Sequence, residues 1–170
     1  MNSLFKHCPQ CGSTQHSFVN NHKFTCQECE FEYYHNMAAA VMCVIKKEDK
    51  YLFTIRNNEP AKGMLDMPGG FVDPGESAKE AAIRELKEEL GLDLEASDLE
   101  MLDTFPNEYE FKGIHYQTLD IIFRVILNDN VELIIQDEEI SDLLWLAAEQ
   151  VEEEKMGFES SKNVVRKYVK

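Results

Sequence analysis

From Ala38 to Ile45 the chain is apolar without a break, AAAVMCVI, and a polar turn, Lys46 to Lys50, follows it. So short a run is poor evidence for a helix; bounded by polar residues, it predicts a central strand covered on both faces. Tyr51 to Arg56 predicts a second strand, ending before a turn-rich stretch that reaches Gly63. The period then changes. Ala82, Ile83, Leu86 and Leu90 recur at helical spacing, Ser77 with Glu80 three residues later is a capping box, and Gly91 is a stop, so a helix is predicted over 78–90 with its stripe on a core. Leu99 to Phe105 and Gln117 to Leu127 predict strands, the second placing Leu119, Ile121, Phe123, Val125 and Leu127 on one face. Between them, Pro106 to Tyr116 predicts a hairpin or lid turning near Lys112-Gly113. A turn at 128–130, a strand from Val131 to Ile135, a polar loop over 137–142, the apolar Leu143-Leu144-Trp145-Leu146 and a terminal helix over 160–169, buried on Val164, Val165 and Tyr168, complete the pattern. Mixed strands with one internal and one terminal helix predict an α/β or α+β sandwich, a mixed sheet packed by helices.

Residues 1–36 stand apart from residues 37–170. Cys8-Pro-Gln-Cys11 and Cys26-Gln-Glu-Cys29 are two CxxC pairs separated by fourteen residues, close to the interval of paired zinc knuckles. Four thiolates from two tight turns predict a closed, structural Zn²⁺ site. A disulfide framework is the competing reading, and no secretion signal supports it. With four cysteines filling the shell, His7, His16, His22 and His35 are expected at the surface or in packing. Cys43, in the apolar run, is expected to be an inert core thiol.

The chain has 170 residues and a formal net charge of −15. That balance argues against nucleic acid as the main partner, because backbone binding draws on basic patches. No apolar run approaches a membrane span, so no membrane partner is expected and the chain reads as cytoplasmic. The acid is concentrated: Asp73 to Asp103 holds eleven acidic residues against Lys79, Arg84 and Lys87. Within it Glu85 and Glu89 fall beside the apolar stripe with Glu88 on their outer flank, while Glu80, Arg84 and Lys87 are expected to turn toward water.

Crowded carboxylates at i,i+3 and i,i+4 repel by roughly 0.2–0.5 kcal/mol per pair. A solvated acidic face is one explanation; a hard cation such as Mg²⁺ or Mn²⁺, bound by oxygen alone, is the other. The loop before the helix, Met67 to Glu76, favours the second, since three glycines and two prolines let its backbone turn tightly and approach a ligand closely.

Loop and helix together read Gly70, five residues, Glu76, seven residues, Arg84-Glu85-Leu86, one residue, Glu88-Glu89, one residue, Gly91-Leu92. This resembles the box of the Nudix hydrolase family at every fixed position, and the paired cysteines ahead of it resemble the ribbon of NADH pyrophosphatase-type members. The resemblance implies the Nudix fold and hydrolysis of a nucleoside diphosphate linked to another moiety, such as ADP-ribose, NADH or a nucleotide sugar. It further implies that Glu85, Glu88 and Glu89 hold catalytic Mg²⁺ or Mn²⁺ with the backbone of Gly70, and that Glu85 is a candidate base. Glu76 is expected to pair with Arg84. One more carboxylate is expected from the loop before the late tryptophan strand, at Glu139 or else Glu138. Arg56 is expected to meet either a phosphate or a surface carboxylate. Phe105 and Tyr109 are candidates to stack on a base, with hairpin core as the alternative. A homodimer is compatible with all of this. The rival reading is a non-catalytic nucleotide sensor or interaction module with the ribbon as its docking site.

Overall fold

The computed structural model describes residues 5–20, 22–111, 114–128, 131–135 and 138–170. The chain divides into two compact units, Met1–Met37 and Ala38–Lys170. In the first, strands β1 (His16–Val19), β2 (Lys23–Cys26) and β3 (Glu32–Tyr34) form an antiparallel meander. Its interior is small: Cys8, Phe24 and Cys26 are buried, with Phe5, Phe18, Cys29 and Phe31 packed around them. A core of that size holds little apolar area, so such a unit needs a cross-link.

The second unit is built on β4 (Ala38–Lys47), the predicted central strand. On one side β4 runs parallel to β8 (Ile114–Ile126), which pairs antiparallel with β7 (Glu100–Phe111). On the other side β5 (Lys50–Arg56) joins it only at Lys46↔Tyr51 and Lys47↔Lys50, then diverges to pair with β6 (Leu65–Asp66) and β9 (Ile140–Ala147). The divergence leaves the first half of β4 with an open edge. The glycine loop fills it: Cys43 N–H donates to Pro68 O at 2.8 Å, Val41 N–H to Gly70 O at 2.8 Å, and Val72 N–H to Ala39 O at 3.0 Å. Buried backbone groups require such partners, and here meeting that need pins the loop to the centre of the sheet.

Because side chains alternate along a strand, β4 is buried twice over. Val41, Cys43 and Ile45 join Phe123 and Val125 of β8 beneath helix α1 (Ala78–Leu90), whose Ala81, Ala82, Leu86 and Leu90 are buried. Met42 and Val44 join Ile122 on the opposite face, against Val164, Val165 and Val169 of the C-terminal helix. That helix, α2 (Glu159–Val164), continues through Val169 with wider turns, Lys170 N–H reaching Val165 O at 3.0 Å. Burying one leucine such as Leu86 contributes roughly 1.5–3 kcal/mol, so α1 is anchored by its stripe. Ser77 and Glu80 close the capping box, and Gly91, at φ 69°, ends the helix in the left-handed conformation glycine tolerates.

The sheet departs from the sequence pattern in two places. β7 and β8 are longer than expected, pairing through Pro106↔Leu119 to Phe111↔Ile114, so most of the expected lid is a two-stranded arm. Pro106 is tolerated because β7 is an edge strand; the turn at Lys112-Gly113 lies outside the described residues, as do Asp129, Asn130 and Asp137. Val131 to Ile135 is not a strand. Its apolar residues serve the helix end instead: Ile134 N–H donates to Leu90 O at 2.9 Å, and Leu133 packs against the core under α1.

Candidate active site

The glycine loop, the exposed border of α1, the end of β5 and the arm of β7 and β8 enclose a cleft of about 500 Å³. Gly69 and Gly70 are required by the closeness of what surrounds them. At φ 147° Gly69 is in backbone space that side chains rarely adopt, and a Cβ there would come within 2.1 Å of Val41 O. A Cβ on Gly70 would lie 2.4 Å from Glu85 Oε1, inside the space the carboxylate occupies. The loop therefore forms a cradle for Glu85.

Arg84 does not turn toward water as its helical position suggests. It folds back onto the loop, bonding Glu76 through Nη2 to Oε1 at 2.7 Å and Nε to Oε2 at 3.2 Å, and donating to Phe71 O at 3.1 Å. Its Nη1 reaches Glu85 Oε1 at 2.8 Å and Glu88 Oε2 at 3.2 Å. Glu76 also accepts from Asp73 N–H at 2.7 Å, and the Arg84 guanidinium with that N–H holds its carboxyl below the usual range. Bidentate pairing makes Arg84 a rivet between loop and helix.

The three helix carboxylates sit at three depths. Glu88 is exposed, Glu85 is half-buried, and Glu89 is 6 % exposed with Gly69 N–H donating to its Oε2 at 2.9 Å. Burial pushes the Glu89 carboxyl well above the ordinary range; the Gly69 bond opposes this, and Glu85, Glu139 and Asp66 add to it. Glu85 is raised by the same cause, with Arg84 opposing. Glu139 faces this group from the β9 side and lines the cleft, its backbone carbonyl accepting from Asn57 N–H at 3.0 Å. Glu138 is outside the cleft lining; its carbonyl accepts from Asn58 Nδ2 at 2.9 Å.

Arg56 forms the cleft wall in an ion pair with Asp66 at 3.0 Å, donating also to Pro60 O at 2.9 Å, and its guanidinium lies 4.9 Å from the ring centre of Phe158. Tyr109 reaches the cleft, with ring centres 5.9 Å from Phe71 and 5.8 Å from Phe158. Phe105 does not; it packs against the core on the α2 side. Asp66, Thr118, Asp120 and Phe158 line the cleft and went unpredicted. Burial pushes the Asp66 carboxyl up to about 6, with Arg56 opposing. The native state then keeps a proton that the unfolded chain has released, so stability present at low pH is lost as pH rises from about 4 to about 6. Asp66→Asn is expected to lessen the metal-free protein's loss of stability across that window, by an amount on the order of 2–3 kcal/mol, leaving the part that the raised carboxyls of Glu85 and Glu89 contribute; an unchanged slope in urea titrations at pH 4 to 7 would contradict this.

The charge of the cleft is lopsided. Among the described lining residues, Glu59, Asp66, Asp73, Glu85, Glu88, Asp120 and Glu139 face two guanidinium groups, Arg56 and Arg84, each already paired. The donors are all oxygen, as a hard divalent ion requires. They are not gathered to a point by themselves: among the described residues only the cysteines have ligating atoms all within 4.8 Å of one another.

That second cluster joins Cys8, Cys11, Cys26 and Cys29, with Sγ atoms of Cys8 and Cys29 3.7 Å apart and those of Cys11 and Cys26 3.6 Å apart. A tetrahedron with Zn–S near 2.3 Å has edges of about 3.8 Å, whereas a disulfide bond is about 2.05 Å long. The cluster fits a zinc ribbon. Burial opposes ionisation at Cys8, but the N–H groups of Cys11 and Gln10 outweigh it and draw the thiol down to about 7. His16 and His22 lie against the backbone carbonyls of Lys6 and His35. Cys43 is fully buried, and burial pushes its thiol up.

The family model described as the NUDIX domain matches residues 35–168, most of the chain. The chain belongs to the Nudix family. Its relatives include an ADP-ribose pyrophosphatase of Methanocaldococcus jannaschii, 46 % identical over 63 residues that make up 37 % of each chain. They also include an NAD-capped RNA hydrolase NudC of Stutzerimonas stutzeri, 25 % identical over 144 residues, 84 % of this chain and 48 % of that one. The chain thus spans about a third to a half of the curated relatives it matches. A NUDIX hydrolase from Nitrosomonas europaea shares the Nudix fold, with a TM-score of 0.67 at 19 % identity over 97 % of this chain and 90 % of the other. Among the described residues no helix is long and apolar enough to cross a membrane.

Proposed function

We propose that this Nudix chain is a pyrophosphohydrolase that cleaves the diphosphate of a nucleoside diphosphate linked to another moiety, using Mg²⁺ or Mn²⁺, with Zn²⁺ stabilising its cysteine ribbon. The observation that carries the reading is the cleft's charge. A diphosphate anion would be repelled by seven carboxylates, and the two lining cations, Arg56 and Arg84, are already paired with carboxylates and offset little of that repulsion, so its entry requires divalent cations, and the oxygen-only donor set suits them. Glu85, Glu88, Glu89 and Glu139, with the Gly70 backbone, are the residues that would hold such an ion. Bound there, it neutralises diphosphate charge and acidifies water.

The remaining roles belong to the chain. Arg84 and Glu76 keep the loop seated on the helix, so the Gly70 cradle and Glu85 move as one body. Glu85 Oε1 is occupied by Arg84, which leaves Oε2 to take the proton of the attacking water, and burial that raises its basicity suits that task. Gly69 fixes Glu89 through its N–H. Tyr109 and Phe158 offer ring faces to a base. ADP-ribose is the preferred candidate substrate, given the relative named for it. NADH and NAD-capped ends come second, because the chain is strongly acidic, with a formal net charge of −15. A cytoplasmic site of action fits these nucleotides.

Incubation with ADP-ribose, NADH and nucleotide sugars in Mg²⁺ or Mn²⁺ is expected to yield a nucleoside monophosphate and the phosphorylated remainder, identified by mass. No cleavage of any would favour the nucleotide-sensor reading. Tyr109→Ala is expected to reorder those substrates by kcat/KM with the metal requirement intact; an equal loss on all would show that Tyr109 serves the chemical step or the fold instead.

A further inference from the structure

We propose that Asp120 determines which nucleobase the cleft accepts, by taking a hydrogen bond from an exocyclic amine on the base. The inference rests on the reading of the cleft as a nucleotide site and specifies its base-recognising end. Asp120 lies on the β8 face that, two residues on, carries the buried core residue Ile122, and it is itself only 5 % exposed. A carboxylate in that layer is costly unless its hydrogen-bonding capacity is used. Half of it is: Thr118, also buried, donates its hydroxyl to Asp120 Oδ1 at 2.8 Å. Among the described residues Thr118 is the donor to this carboxylate and bonds Oδ1, not Oδ2, and Asp120 lines the cleft. The two cations of the wall are engaged elsewhere, Arg56 with Asp66 and Pro60 and Arg84 with Glu76.

The surroundings select the partner of Oδ2. Tyr109 and Phe158 line the same cleft with ring centres 5.8 Å apart, and ring faces suit a flat base better than a phosphate. A carboxylate accepts and does not donate, so it favours a base that presents N–H₂ at that edge over one that presents nothing. Thr118 holds the carboxylate's orientation, which turns an acidic surface into a directional acceptor. A ribose hydroxyl shares the donor chemistry, and the test separates the two sources.

Calorimetric binding of AMP, purine riboside 5′-monophosphate (AMP without its 6-amino group), 2′-deoxy-AMP and 3′-deoxy-AMP, in Mg²⁺, tests this without any need for turnover. AMP is expected to bind about tenfold more tightly than the analogue lacking the amine, the scale of a hydrogen bond to a charged group. Asp120→Ala should bring that ratio to within about twofold, and Asp120→Asn, which keeps a carbonyl acceptor, should retain part of it. The penalties for the deoxy sugars should be the same in all three proteins. The proposal is overturned if wild-type protein binds AMP and the deaminated analogue equally or binds neither, a result that needs no variant to fold. It is also overturned if the deoxy penalties, and not the amine penalty, disappear in Asp120→Ala. Discrimination by a protein that cleaves no diphosphate would refute the hydrolase reading and leave the base-recognition assignment standing.

Discussion

Glu89→Gln and Glu85→Gln should each lower turnover on the best diphosphate substrate by on the order of 10² to 10⁴, the scale set by losing a positioned acid or base. The two residues are expected to fail for different reasons. Glu89 is buried with Gly69 N–H on one oxygen, and an amide there keeps an acceptor but gives up the charge a divalent ion needs. Glu85 shares Arg84 with Glu76 and Glu88, so Glu85→Gln loses a proton acceptor while the rivet to Glu76 stays in place. Glu88, more exposed, should follow with a loss at the lower end of the range. Glu80→Gln is the control, since Glu80 only closes the capping box with Ser77, and disturbing a cap costs about 1 kcal/mol of stability. Chelator should abolish wild-type activity and Mg²⁺ or Mn²⁺ restore it. Full turnover in both Glu85→Gln and Glu89→Gln would remove this helix from the chemistry.

Cys26→Ser should unfold the ribbon. Cys26 is buried beside Phe24 and Cys8 in a core of three buried residues, and a structural zinc provides about 10–16 kcal/mol of apparent binding energy that is also folding energy. Elemental analysis of protein purified without chelator is expected to give one zinc per chain in the wild type and none in the variant. The variant should also lose the near-ultraviolet signal of the ribbon's aromatic residues. Wild-type protein with no zinc and four titratable thiols would contradict the assignment.

Features encoded by short spacings were legible in the sequence, and features created by distant strands were not. Ser77, Glu80 and Gly91 mark the ends of α1 within a few residues, so its range could be read directly. The cysteine pairs were legible for the same reason, each knuckle being a local turn. Arg84 was half legible: helical position points it outward, but the bidentate partner Glu76 lies eight residues back and draws it onto the loop. Asp120 and Thr118 occupy what reads as the polar face of an alternating strand. Only the C-terminal helix, folding back over that face, makes it a second interior, and Lys167 and Tyr168 tie that helix to Asp103 at 2.6 and 3.1 Å. Phe158 enters the cleft from that same late segment, beyond the reach of any local pattern. Val131 to Ile135 has the composition of a strand but makes no ladder pairs among the described residues; the segment covers the end of α1 instead, with Ile134 N–H on Leu90 O.

Divalent-cation binding at the border of α1 is the core of the proposed function. Its most direct test is Mn²⁺ binding to zinc-loaded, Mn²⁺-free protein, followed by electron paramagnetic resonance, in wild type and in the Glu85→Gln/Glu89→Gln double variant. Wild-type protein is expected to take up Mn²⁺ at the helix, compete it off with Mg²⁺, and lose at least about tenfold in affinity when both carboxylates are amides, since ligand charge count sets affinity at oxygen sites. Equal Mn²⁺ affinity in the two proteins would contradict the account.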